Sequence, residues 1–211
     1  YAWVLYGIST VSWVVDKDYG QLARYKRMGL VNEKDYRKQY RRLLAWKATY
    51  YTYTLVIPMI FFPGPWWLSI LGLLLAHFVA GLFITCIFQL AHVMPTADFP
   101  QPDPKGNMEN SWAVHQLYTT TNFAPKSRVL GWFIGGLNYQ IEHHLFPHIS
   151  HIHYKKISKI VEQTAREFNL PYNTKKNFFS ALGDHAKMLY YLGKDDLTKM
   201  NLSAPAKSPA A

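Results

Sequence analysis

Histidine is the residue type in this chain best able to do chemistry, and it is unevenly distributed. Nine histidines occur in 211 residues, and five of them, His143, His144, His148, His151 and His153, fall within eleven positions. The sharpest element is Gln140-Ile141-Glu142-His143-His144. Positions i, i+3 and i+4 of a helix share a face, so Gln140, His143 and His144 would present two imidazoles and one amide oxygen together. Imidazole suits iron, zinc or copper, and an amide oxygen is a harder, weaker donor. A His pair on a polar helix can also be surface decoration, and a short His-rich tract can bind metal adventitiously. Pro147 ends the helix just past the pair, which leaves the donors at its C-terminal end.

The elements that must position these residues are read from charge and hydropathy. Lysine and arginine number 23 against 13 acidic residues, a formal charge of +10. Nucleic-acid binding is a first suspicion for such a balance, but the charge does not form a continuous stripe. Not one Asp, Glu, Lys or Arg lies between Ala48 and Ala97, and basic residues flank that gap. Residues 16–47 alone carry ten Lys or Arg against four acidic residues. An apolar block with a basic flank is the pattern of a membrane protein with positive cytoplasmic ends.

Two apolar segments, Leu43 to Phe62 and Trp66 to about Met94, are joined by Pro63-Gly64-Pro65. Each is long enough to span roughly 30 Å of hydrocarbon at about 1.5 Å per residue. They predict a helical hairpin with both outer ends on the cytoplasmic side. The second segment exceeds the spanning length, so its last turns, with Gln89 and His92, project beyond the membrane face before Pro95 ends it. Tyr1 to Val15 is apolar and aromatic but short, an interfacial helix or the end of a membrane segment. The stretch Asp98 to Asn110 reads as a polar loop, residues 111–145 as returning to helix, and Tyr154 to Phe168 as an amphipathic helix. Phe178 to Leu192 is a weaker helix candidate, and the small, Pro-rich tail after Met200 reads as disordered. The lone Cys86 permits no disulfide within the chain.

The ten-residue string Asn138-Tyr139-Gln140-Ile141-Glu142-His143-His144-Leu145-Phe146-Pro147 resembles the third histidine box of the membrane fatty acid desaturases. It resembles more narrowly the front-end acyl desaturases, in which glutamine replaces the box's first histidine. The resemblance extends to Trp112-Ala113-Val114-His115-Gln116-Leu117, to Thr119, Thr120 and Asn122, and past the box through His151, His153 and Tyr154. It covers nearly all of residues 1–195. It implies an all-α fold: an integral membrane helical hairpin, part of a four-helix membrane domain, with a cytoplasmic helical cap. The corresponding divisions are residues 1–47, an apolar interfacial segment and basic helix; 48–97, the hairpin; 98–195, the cap with the box; and 196–211, a disordered tail.

The resemblance also implies roles. His143 and His144 would be iron ligands, Gln140 would stand in for the replaced histidine, and His92 would occupy the place of a ligating histidine at the end of the fourth membrane helix. Gln89, Glu142 and His115 would lie behind the ligands, with Glu142 facing away from Gln140 to bond a neighbouring ligand or cap structure. His77, about four turns before His92, is expected to pack as a neutral, hydrogen-bonded residue, and His185 to be an ordinary polar one. Two irons and dioxygen would supply oxidising power that no side chain has. The substrate would be an acyl-CoA or acyl-lipid. Electrons would come from a carrier such as cytochrome b5, ferredoxin or a reductase, and no nucleic acid is involved. The membrane would be a bacterial inner membrane or endoplasmic reticulum, with the metal site on its cytoplasmic face. The family carries three boxes and only the third occurs here. Tyr1 is not an initiator methionine, so the chain is expected to be the C-terminal part of a longer enzyme, inactive alone. A membrane di-iron hydroxylase of lipids or alkanes, and a non-catalytic lipid- or metal-binding membrane module, are the alternatives.

Overall fold

A computed structural model describes residues 1–194, so the expectation of a disordered tail lies outside the described residues. The chain is mostly helical, and it divides into two compact units, residues 1–85 and the part that begins at Cys86.

The first unit starts with helix α1 (Ala2–Ser12), which passes through a π-helical turn at Trp13–Lys17 into α2 (Asp18–Arg27). Asn32 then caps α3 (Glu33–Tyr51), its side chain accepting the Asp35 N–H at 2.9 Å. A second π-helical stretch, Thr52–Val56, joins α3 to α4 (Ile57–Phe61) with helical dihedrals on both sides. The basic segment and the first apolar segment are therefore one helical run, which ends before the Pro63-Gly64-Pro65 turn. Helix α5 (Trp66–His92) follows, and it is the one helix among the described residues long and apolar enough to cross a membrane.

Helix α1 lies against α5 within this unit. Thr10 Oγ1 donates to the His77 carbonyl at 2.7 Å, and Ser9 and Thr85 share a hydroxyl bond of 2.9 Å. Close approach requires glycine here, because a Cβ on Gly81 would meet the Gly7 carbonyl oxygen at 2.5 Å. His77 Nε2 is bonded to the Tyr50 hydroxyl at 2.7 Å and its Nδ1 to Thr10 Oγ1 at 3.2 Å. Lys47 is paired with Asp18 at 2.7 Å and also donates to the Val14 carbonyl, tying α3 to the α1–α2 junction.

The second unit is built on the last turns of α5. Ile87, Leu90, Ala91 and Met94 pack with Phe123 and Ala181 in a buried cluster. Helix α6 (Trp112–Thr119) is followed by a strand, β1 (Thr121–Phe123), then by α7 (Arg128–Phe133), the box helix α8 (Gln140–Leu145), a 3-10 turn at His151–His153, α9 (Tyr154–Glu167), β2 (Asn173–Lys175) and α10 (Phe178–Leu192). A second cluster joins Leu117, Ile141, Val161 and Ala165 from α6, α8 and α9.

Two features differ from an uninterrupted helical reading of residues 111–145. β1 and β2 form a two-stranded parallel sheet with Asn122 opposite Thr174, so the cap is not purely helical. The run Thr119-Thr120-Thr121 favours extended backbone through its β-branched side chains. Helix α7 is then broken from α8 by Gly135 and Gly136, both with positive φ (60° and 74°), a conformation glycine adopts at no steric cost.

Candidate metal centre

The box helix is only six residues long, too short to be stable without tertiary contacts. Its first three residues, Gln140, Ile141 and Glu142, are buried. His143 and His144 follow on the half-buried end, and the rings of His143 and His144 lie 5.8 Å apart, centroid to centroid. The end of α5 brings His92 beside them, 5.0 Å from the His144 ring. Gln89 lies one turn earlier on α5 and is half-buried.

Two of the three imidazoles have Nδ1 engaged. His92 Nδ1 lies 3.5 Å from the Thr119 carbonyl, and His143 Nδ1 shares a 3.3 Å bond with the hydroxyl of buried Tyr154. A histidine that donates from Nδ1 keeps the Nε2 lone pair for a metal, the usual arrangement around ligating imidazoles. His144 is held well below the usual histidine range, at about 4, chiefly by burial and then by repulsion from His92 and His143. It is therefore neutral, as a ligand must be, at neutral pH.

The donor set matches an iron site in part. Imidazoles bound about 2.1 Å from one ion place their ring centres roughly 4.5–6 Å apart, which brackets both separations. Gln140 Nε2 and His115 Nδ1 are buried without a hydrogen-bond partner among the described residues; the Gln140 nitrogen is a donor that a water or another acceptor satisfies, and only the amide oxygen can face a cation. The rings are adjacent rather than converged: among the described residues, no three His, Cys, Asp or Glu side chains are gathered closely enough to hold an ion as they stand. Three imidazoles and an amide fit part of a metal centre and fall short of two irons' coordination.

Glu142 is fully buried and does not bond a histidine. Its carboxylate accepts from Asn122 Nδ2 at 2.9 Å and from the Tyr172 hydroxyl at 2.8 Å. Burial pushes its carboxyl upward against the pull of those two donors, and the Tyr172 hydroxyl is pushed up by burial and by Glu142. His148, His151 and His153 are exposed.

Sequence reasoning missed two residues. Tyr172 carries no motif and sits thirty positions from its partner. His185, read as an ordinary polar residue, is fully buried and donates from Nδ1 to the Val93 carbonyl at 2.8 Å, just past His92. The buried stripe Ala181, His185, Met188 on α10 was the available signal, since it follows helical spacing.

An apolar cavity of about 540 Å³ opens beside the box, between α6 and α9, walled by Val114, Leu117, Leu145, Ile157 and Val161.

The fatty acid desaturase family model matches residues 1–176. The chain belongs to the fatty acid desaturase family. It is 38% identical over 157 residues to the sn-1 linoleoyl-lipid 6-desaturase of Arthrospira platensis, covering 74% of this chain and 42% of that protein. It is 43% identical over 136 residues to the acyl-lipid (8-3)-desaturase of Physcomitrium patens, covering 62% of this chain and 28% of that one. The Delta(5) fatty acid desaturase A of Dictyostelium discoideum is 36% identical over 136 residues, covering 62% of this chain and 29% of its own length. The chain thus spans between 28% and 42% of these three relatives. No solved structure matches it significantly.

Proposed function

We propose that this desaturase-family chain contributes the third histidine box of a membrane di-iron desaturase that inserts a double bond into a lipid-linked acyl chain. The observation that carries the reading is the meeting of His143 and His144 with His92, 51 positions before His143, in a chain of this family. His92, His143 and His144 would hold iron, with Gln140 beside them, and the family's other two boxes would complete the coordination. Two irons and dioxygen supply, when bound, the oxidising power needed to remove hydrogen from an unactivated methylene pair.

The chain's own residues aim the imidazoles. Tyr154 and the Thr119 carbonyl fix the His143 and His92 rings, and burial keeps His144 unprotonated. The apolar cavity beside Leu145 lies within the size range of small-ligand sites and suits the acyl chain. The relatives' acyl-lipid and linoleoyl-lipid substrates support a lipid-linked acyl group over a CoA ester, and the glutamine of the box supports front-end placement of the double bond.

Helix α5 also supports a membrane seat for the centre. Its 27 residues extend about 40 Å, roughly 10 Å more than the hydrocarbon core, so His92 at its end reaches the membrane surface. The helical run through Leu43 and Phe61 makes the other arm of a transmembrane hairpin. The basic residues before it mark the cytoplasmic side, where an electron carrier would dock.

The experiment is expression of the complete reading frame that contains this chain in a desaturase-deficient host fed linoleate, followed by fatty acid analysis. A new double bond on the carboxyl side of the existing ones supports the reading. A hydroxylated product, or none beside abundant membrane-inserted protein, refutes it.

A further inference from the structure

We propose that Asn122, Glu142 and Tyr172 form a clamp that fixes the rotation of α8 and thereby aims His143 and His144; the inference rests on the metal-site reading above. Asn122 is 1% exposed, and its amide touches α8 twice. Its Oδ1 accepts the Ile141 backbone N–H at 3.0 Å, and its Nδ2 donates to Glu142 at 2.9 Å. The same Nδ2 donates its other hydrogen to the Tyr172 hydroxyl at 2.9 Å, and that hydroxyl donates onward to the second Glu142 oxygen at 2.8 Å. The ring is closed: both amide hydrogens, the hydroxyl and both carboxylate oxygens are used. It also has a single polarity, because turning the Asn122 amide over would set its oxygen against a carboxylate and its NH2 against a backbone N–H.

The sheet explains how these residues reach the box. Asn122 is the middle residue of β1, and Tyr172 immediately precedes β2. Pairing of the two strands therefore delivers both side chains to one side of α8. Among the described residues Glu142 makes no ion pair, so a buried carboxylate is held by neutral donors alone. Packing would not need this group, since an apolar residue of similar size fills a core more cheaply than a buried acid. What the network adds is a fixed angle. An imidazole nitrogen sits about 6 Å from a helix axis, so a rotation of ~20° carries it through roughly 2 Å, the length of a metal–nitrogen bond.

The test uses the complete reading frame, purified in detergent, stripped of metal and titrated with Co²⁺, whose visible absorption reports ligand geometry. Tyr172→Phe, Asn122→Asp and Glu142→Gln are each expected to weaken Co²⁺ binding by about 10- to 100-fold and to alter the bound spectrum, whatever fall in the melting temperature of the metal-free protein accompanies the lost hydrogen bonds. Asn122→Asp combined with Glu142→Gln restores an amide-to-carboxylate hydrogen bond between the two positions but leaves one Tyr172 contact without its hydrogen, and should recover part of the affinity lost in Asn122→Asp. His143→Ala is the control for the metal reading. Single variants that bind Co²⁺ with wild-type affinity and spectrum would overturn the clamp. So would affinity losses that only track a lowered melting temperature, with an unaltered spectrum and no recovery in the double variant. Wild-type protein that binds Co²⁺ no better than His143→Ala overturns the metal reading, and the clamp with it.

Discussion

Replacing His185 with leucine keeps the bulk of a fully buried side chain and removes its donor. The wild-type Nδ1–H reaches the Val93 carbonyl at 2.8 Å, one residue past His92, where the last carbonyls of α5 lack helical partners. An unsatisfied buried acceptor costs about 1–3 kcal/mol. For a chain of this size each kcal/mol moves the melting temperature by roughly 2–4 °C, so His185→Leu should lower it by about 2–12 °C. Alanine at the same place adds a cavity and should cost more. Thermal unfolding in detergent, followed by circular dichroism, gives the number. Because Val93 adjoins His92, metal retention should fall along with stability. A leucine variant that melts with wild type would refute the claim that α10 anchors the end of α5 through this bond.

Three further outcomes follow from the same structure. The metal-free protein should lose stability as pH falls below about 6.5 toward 4: burial holds His144 near 4 and lowers His185, the unfolded chain then binds more protons than the folded one, and each group contributes a slope of at most about 1.4 kcal/mol per pH unit. Urea unfolding across that range should show the decline, shallower in His144→Ala; a flat profile would contradict it. Gly81→Val should destabilise the first unit by about 1–3 kcal/mol, because even the first added carbon meets the Gly7 carbonyl, whereas Gly20→Ala, with nothing within 4 Å of the new carbon, should be tolerated; equal melting of the two would count against the α1–α5 approach. Tyr50→Phe removes the 2.7 Å bond to His77 and should cost about 0.6–1.7 kcal/mol, read by thermal unfolding, with no loss in a His77→Leu background if the pair is coupled.

The helices were legible in the sequence wherever composition or period was strong. The apolar segment from Trp66, the Pro-Gly-Pro turn and the stripe of α9 each correspond to an observed element, while the first apolar segment is continuous with the basic helix before it. The box pattern, with its two imidazoles on one helical face, pointed to the residues that the structure sets beside His92. What escaped was decided by pairing across distance. Three-residue strands have no period to detect, and β1 and β2 find each other 52 positions apart, Thr121 opposite Asn173. The partners of Glu142 come through that sheet, so no local pattern could have shown that its carboxylate bonds Asn122 and Tyr172 rather than a ligand. His185 failed to stand out because its acceptor is a backbone carbonyl 92 positions away.

The most direct measurement is the fatty acid profile of cells expressing the complete reading frame, with wild-type sequence or with His143→Ala, at matched protein levels. The wild type is expected to give a new front-end double bond in membrane lipids, and the variant none, together with loss of bound iron. Desaturation that survives His143→Ala unchanged would contradict the assignment of this histidine pair to the metal centre.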